Sequence, residues 1–184
     1  METAPERIVD AAIALVAEGG YDEDLCRRAF EEICDRFDRH LLPLYLSPQP
    51  WRERMRAVAY AAARYCREHP AEIEFGIAEV SRDPRSLGER SLRLHIGEID
   101  SVRRELADPN SVPRAAGEFV VGAFLALVMR CHAAGSYEEM EAGVPELLYR
   151  GNELYLGTEV AEEELRIARQ RLRNGNSGQS HTAP

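Results

Sequence analysis

The chain has 184 residues, 45% of them hydrophobic and 30% charged, with a formal net charge of −9. That length fits one substantial core, or one core with a small N-terminal appendage, and excludes two large independent domains; the composition excludes a disordered chain. All 23 basic residues are arginine, and the acidic balance excludes a whole-surface nucleic-acid binder while leaving room for a local basic face.

Four cysteines, Cys26, Cys34, Cys66 and Cys131, are widely spaced on apolar helical patterns without any Cys-x-x-Cys, as suits reduced thiols, so a cytoplasmic location is expected. Residues 1–5 have neither the basic start nor the apolar run of a signal peptide. The longest apolar stretch, residues 119–129, falls short of the ~20 residues a bilayer demands, and no membrane partner is expected.

The pattern is helical throughout. Thr3, Pro5 and Glu6 make a helix start, and the helix they open should cover residues 5–18 with Ile8, Ala12, Leu15 and Val16 on one face; Gly19-Gly20 supplies the left-handed backbone that ends it. A second helix carries a stripe from Leu25 through Phe30, Ile33, Phe37 and Leu41 to about Tyr45, and Ser47-Pro48-Gln49-Pro50 breaks it. Trp51, Met55, Val58, Ala62, Tyr65 and Cys66 define a third, stopped by Pro70. A short helix over residues 71–80 precedes the polar break Ser81-Arg82-Asp83-Pro84. Leu92, Ile96, Ile99 and Leu106 then predict one long amphipathic helix ending at Asp108-Pro109-Asn110.

Ser111 is placed to cap the next helix, residues 112–134, which is apolar nearly all round and must be covered on both sides. Ser136 and Glu139 resemble a capping box for a helix whose stripe is Met140, Val144, Leu147, Leu148, Gly151, Leu154 and Tyr155, with a kink expected at Pro145. A charged helix follows Gly157-Thr158, and residues 174–184 read as a disordered tail. The fold class is therefore all-α.

The run Arg7-Ile8-Val9-Asp10-Ala11-Ala12-Ile13-Ala14-Leu15-Val16-Ala17-Glu18-Gly19-Gly20-Tyr21 resembles the first helix of a TetR-family DNA-binding domain, and Glu23-Asp24-Leu25-Cys26-Arg27-Arg28-Ala29-Phe30 resembles the family's connecting helix. The two abut at Tyr21-Asp22-Glu23. Two helices and a turn need ~20 residues, so the segment equivalent to the second and recognition helices is absent. The resemblance implies a TetR-like helical bundle with a C-terminal two-helix dimerisation face, divided as residues 1–21 (remnant of the DNA-binding domain), 22–46 (connecting helix), 47–157 (ligand-binding and dimerisation body) and 158–184 (charged helix and tail).

It also implies an effector-responsive regulator, a homodimer with a small hydrophobic effector and DNA binding lost or impaired. The expected dimer residues are Gly117, Val121, Phe124 and Val128 on one helix and Val144, Leu147, Leu148, Gly151 and Tyr155 on the next. Met55, Tyr65, Cys66, His95, Arg103 and Phe119 are pocket candidates, each with ordinary packing as the competing explanation. Arg103, set among apolar positions, would either meet an acidic group of an effector or pair internally.

No base-reading residue is assignable, since residues 1–21 hold Glu2, Glu6, Asp10 and Glu18 against Arg7 alone. The arginines at 166, 169, 171 and 173 fit a solvated helix end better than a polyanion site. Cys66-x-x-His69 and Cys131-His132 fall short of a four-ligand metal set, and the absence of HExxH, nucleophile-elbow and Walker motifs argues against an enzyme; no cofactor is expected. The competing readings are an intact repressor whose recorded sequence lacks a segment, and a helical enzyme or metal-binding bundle.

Overall fold

The structure, a computed structural model, describes residues 4–82, 89–106 and 108–179. Among them are eight α-helices and no strand: α1 (Ala4–Ala17), α2 (Glu23–Tyr45), α3 (Trp51–Glu68), α4 (Pro70–Arg82), α5 (Glu89–Ile99), α6 (Ala116–Ala133), α7 (Met140–Leu156) and α8 (Thr158–Gln179), with 3-10 turns at Asp100–Glu105 and Pro109–Ser111. The all-α expectation holds.

Local chemistry sets most of the boundaries. Gly19 at φ +79 ends α1 and lets the Gly20 N–H return to the Leu15 carbonyl at 2.9 Å. Asp22 caps α2, its carboxylate accepting from the Leu25 N–H at 2.9 Å, with Glu23 and Asp24 in the first turn. The helix α1 is not a free appendage: Val9 and Ala12 pack with Cys26, Ala29, Phe30 and Ile33 of α2 and Phe75 of α4 in one apolar cluster.

Four boundaries differ from the sequence expectation. The helix expected to continue through Leu106 leaves α geometry after Ile99, where Trp51 Nε1 donates to the Ile99 carbonyl at 3.0 Å. A continuing α-helix would use that carbonyl for the Arg103 N–H. Next, α6 starts at Ala116 rather than 112, because Ser111 donates its hydroxyl to the Asp108 carbonyl and Arg103 gathers the carbonyls of Val112, Pro113 and Arg114 into a loop.

Ser136 accepts from the Glu138 N–H and closes a turn, so the capping box does not form and α7 begins at Met140, with Pro145 accommodated in its second turn. Finally, α8 runs on to Gln179 through residues expected to be tail; residues 180–184 and the Asp83-Pro84 break lie outside the described residues.

A second core cluster joins α2, α3, α5, α6 and α7 around Leu41, Trp51, Met55, Val58 and Tyr155. A third joins α3, α6, α7 and α8 around Tyr60, Cys66, Val128, Met140 and Val144. In the latter, α6 and α7 cross so closely that a Cβ on Gly143 would lie 2.6 Å from Leu127 Cδ1.

The last helix is fastened by charge: Glu164, with no solvent exposure, accepts from Arg56 Nη2 at 2.7 Å and from Arg52 Nη2 at 3.3 Å, both on α3. Such a carboxylate is tolerable only with its guanidinium partners in place. Glu164→Ala is expected to lower unfolding free energy by on the order of 3 kcal/mol. Urea denaturation checks this, and a loss near zero would show that α8 docks by apolar packing alone.

Candidate ligand cavity

Six helices enclose a cavity of about 450 Å³. Phe30, Ile33, Phe37, Leu41 and Tyr45 enter it from α2; Met55, Val58, Ala62, Tyr65 and Cys66 from α3; Ile73 and Ile77 from α4; Leu92 and His95 from α5; Val121, Phe124 and Val128 from α6; and Leu147, Leu148, Gly151, Asn152 and Tyr155 from α7. Each contributes one face of an amphipathic stripe, so the inward-facing residues of six helices meet around a common space. Phe37 organises one wall: its ring lies 5.3 Å from Tyr65, 5.4 Å from His95 and 6.4 Å from Phe124. Leu125 and Met129 of α6 line the cavity and are also 41% and 48% exposed, which places them at its mouth.

Nearly every polar side chain in the wall is turned to a partner. Tyr65 donates to Glu72 Oε2 at 2.7 Å, and Glu72 Oε1 receives Arg36 Nη1 at 2.8 Å. The Tyr45 hydroxyl meets His95 Nδ1 at 3.3 Å, while Asp38 Oδ1 lies 3.1 Å from His95 Nε2, off the line of a hydrogen bond, and receives Ser91 Oγ at 2.6 Å. Tyr155 donates to Asp100, which also pairs with Arg103 Nε at 3.2 Å. Trp51 is held by Ile99 and Ser81 by Ile77. Burial pushes the Cys34 and Cys66 thiols up to about 12, so both stay protonated near neutral pH. Burial also raises Tyr65 and Tyr45, Glu72 reinforcing the shift in Tyr65.

One polar atom of the wall has no partner on either count. Asn152 is 1% exposed, its Nδ2 donates to the Leu148 carbonyl at 2.8 Å, and its Oδ1 is buried and unpaired. The carbonyl of Leu148 fixes the orientation, because only the amide nitrogen can donate to it.

Of the expected pocket residues, Met55, Tyr65, Cys66 and His95 line the cavity; Arg103 and Phe119 do not. Arg103 pairs internally with Asp100 and the carbonyls of the 109–114 loop. Phe119 points outward and is 59% exposed.

The expected dimer line is inverted. Val121, Phe124, Val128, Leu147, Leu148, Gly151 and Tyr155 are cavity wall, Val144 is fully buried in the core, and Gly117 packs against Ile96 and Asp100 of the preceding segment. The physical reason is that α7 packs against α3, α6 and α8, which buries Val144, Leu148, Gly151 and Tyr155 of its stripe within the subunit. The outward face of α6 instead carries Phe119, Gly122, Leu125, Ala126 and Met129.

Sequence reasoning missed Asn152, although a carboxamide on the stripe formed by Leu148, Gly151 and Tyr155 is a visible irregularity. It also missed the α2 and α4 walls, which look like ordinary core stripes.

Among the described residues no three His, Cys, Asp or Glu side chains are grouped to hold a metal. His69 stacks on Tyr65 at 4.3 Å and His132 meets the Tyr137 hydroxyl at 3.1 Å. Arg171 lies over the Tyr60 ring. By length and composition α6 could cross a membrane, yet its Leu127, Val128 and Cys131 are buried in the bundle. No protein-family model matches the chain, and neither a curated protein nor a solved structure does.

Burial holds the His95 imidazole below its ordinary pKa, outweighing the opposing pull of Asp38. A histidine whose folded pKa lies under its unfolded value is protonated first in the unfolded chain as pH falls, so folded stability is lost from about pH 6.5 downward. His95→Gln is expected to lose less stability than wild type between about pH 7.5 and about pH 5.5. Urea denaturation at the two pH values measures it, and equal losses would remove His95 as the source.

Proposed function

We propose that the protein is a TetR-type regulator body that binds a small hydrophobic effector, acts in the cytoplasm without a membrane or cofactor, and lacks the head with which such a regulator would read an operator. The observation that carries this reading is the apolar cavity of about 450 Å³ between six helices, large enough for a drug-sized organic molecule. The wall contains no arginine, and its one carboxylate, Glu72, is occupied by Arg36 and Tyr65, so the reading is of a binding space and not of a catalytic centre.

N-phenyl-1-naphthylamine, a neutral fluorescent probe, is expected to bind with a dissociation constant on the order of 10 µM. Val121→Trp, which pushes an indole into the cavity, should raise that constant at least about tenfold with the helical circular dichroism unchanged. A probe that does not bind, or that binds the variant equally, would remove the cavity from the function.

Two further parts of the proposal concern partners. The outward face of α6 is apolar and open, with Phe119 59% exposed and nothing within 4 Å of a Cβ on Gly122, and this is the face we assign to a second copy of the chain. The regulator is proposed not to bind DNA, because α1 passes into α2 through residues 18–22 with no reading helix between, and α1 carries Glu6 and Asp10 against Arg7.

Sedimentation of the protein with a labelled duplex tests both: a dimer is expected, with the duplex sedimenting free, and Phe119→Arg should yield a monomer that still binds the naphthylamine. A wild-type monomer would overturn the dimer face, and salt-sensitive co-sedimentation of the duplex would overturn the loss of DNA binding.

A further inference from the structure

The mouth of the cavity and the open face of α6 are one surface. Leu125 and Met129 line the cavity and are 41% and 48% exposed, and they continue the outward ridge that carries Phe119, Gly122 and Ala126. Residues three, four and seven apart share a helix face, so whatever covers that ridge also covers the mouth. Two charges close its ends. Glu118 and Arg130 are exposed on the same face, and neither side chain holds an ion pair among the described residues.

The spacing of these residues is self-complementary. When two copies of α6 lie antiparallel about a twofold axis level with residue 124, Glu118 falls opposite the partner's Arg130, and Arg130 opposite the partner's Glu118. In the same register Phe119 meets the partner's Met129, an aromatic–sulfur contact. Gly122 meets the partner's Ala126, and two residues this small let the helices approach closely where they cross. A parallel pairing would set Glu118 against the partner's Glu118 and Arg130 against the partner's Arg130, and a slip of one turn takes both charges off their counter-ions.

We infer that the second copy completes the ligand site: the partner's Phe119 lies over Met129 and Leu125 and caps the cavity mouth, in a dimer held antiparallel by the Glu118–Arg130 pairs across the axis. This rests on the cavity as the binding site and on the α6 face as the dimer face, and it joins the two. Phe119 is absent from the wall of its own cavity, so it reaches a bound effector only from the other subunit. A ligand enclosed on one more side binds the dimer more tightly than the monomer. By linkage it tightens the dimer in return, by the same factor for each site filled.

The test measures N-phenyl-1-naphthylamine affinity and sedimentation on the full chain. Phe119→Arg, monomeric, should bind the probe about fivefold more weakly than the wild-type dimer, and saturating probe should lower the wild-type dimer dissociation constant by about 25-fold, the square of that factor. Arg130→Glu should weaken the dimer at least about tenfold, and adding Glu118→Arg to it should restore both the dimer and the probe affinity. All three positions are exposed, and unchanged helical circular dichroism shows that the fold is kept. The wild-type linkage needs no variant.

Equal probe affinity in the wild-type dimer and the Phe119→Arg monomer, or a dimer constant that the probe does not move, would overturn the partner's role in the site and leave the cavity and the dimer face standing. A double charge reversal no better than Arg130→Glu alone would overturn the antiparallel register. A wild-type monomer would overturn the dimer face, an unbound probe would overturn the cavity, and either would take this inference with it.

Discussion

A wall assembled from six helices stays apolar only if each polar side chain in it finds a partner within the protein. That constraint governs this molecule. Tyr65 reaches Glu72, and Glu72 reaches Arg36, a chain that ties α3 to α4 and α2. Tyr45 and Asp38 of α2 flank His95 of α5, Trp51 of α3 holds the end of α5, and Tyr155 of α7 holds Asp100 just beyond it. The bonds that keep polarity out of the cavity are thus the bonds that set the distances between its walls. A buried polar group deprived of its partner costs about 1–3 kcal/mol, so the lining is specified as sharply by these outward contacts as by the aliphatic side chains that face inward.

The proposed binding role rests on that arrangement. A catalytic centre needs polar groups converging on a common point, with pKa values poised for the reaction. Here the tyrosines and thiols are pushed upward by burial, the histidine is pushed downward, and the tyrosine hydroxyls and the imidazole are paired with other protein groups. What remains in the lining is chiefly hydrocarbon and aromatic surface, with the protonated thiols of Cys34 and Cys66.

Much of the fold was legible in the sequence because helix periodicity and caps are local. Asp22 before Glu23, the Gly19-Gly20 exit and the Pro48–Pro50 break act within a turn or two of the boundaries they set. The errors lie where a distant side chain intervenes: Trp51 ends α5 from 48 residues away, and Arg103 holds the 109–114 loop that delays α6. The fastening of α8 by Glu164 joins residues 108 apart and leaves no local trace.

The faces of α6 show a different limit. When a helix is apolar all round, period alone cannot say which line faces out. The line through Gly117, Val121, Phe124 and Val128, expected to face a partner, faces the subunit's own interior. The charges were the better guide, since Glu118 and Arg130 both fall on the arc that contains Phe119, Ala126 and Met129.

The exclusive use of arginine has its own consequence. Every fixed positive side chain, including Arg36 beside Glu72 and Arg56 beside Glu164, is a guanidinium that keeps its proton at any pH a folded protein meets. The cationic half of these pairs is therefore constant, and proton exchange in the molecule belongs to carboxylates, histidines and the rare thiol or phenol. Nor does any side-chain amine exist for acylation or Schiff-base chemistry, so no lysine-directed modification can alter the charges on which the walls are hung.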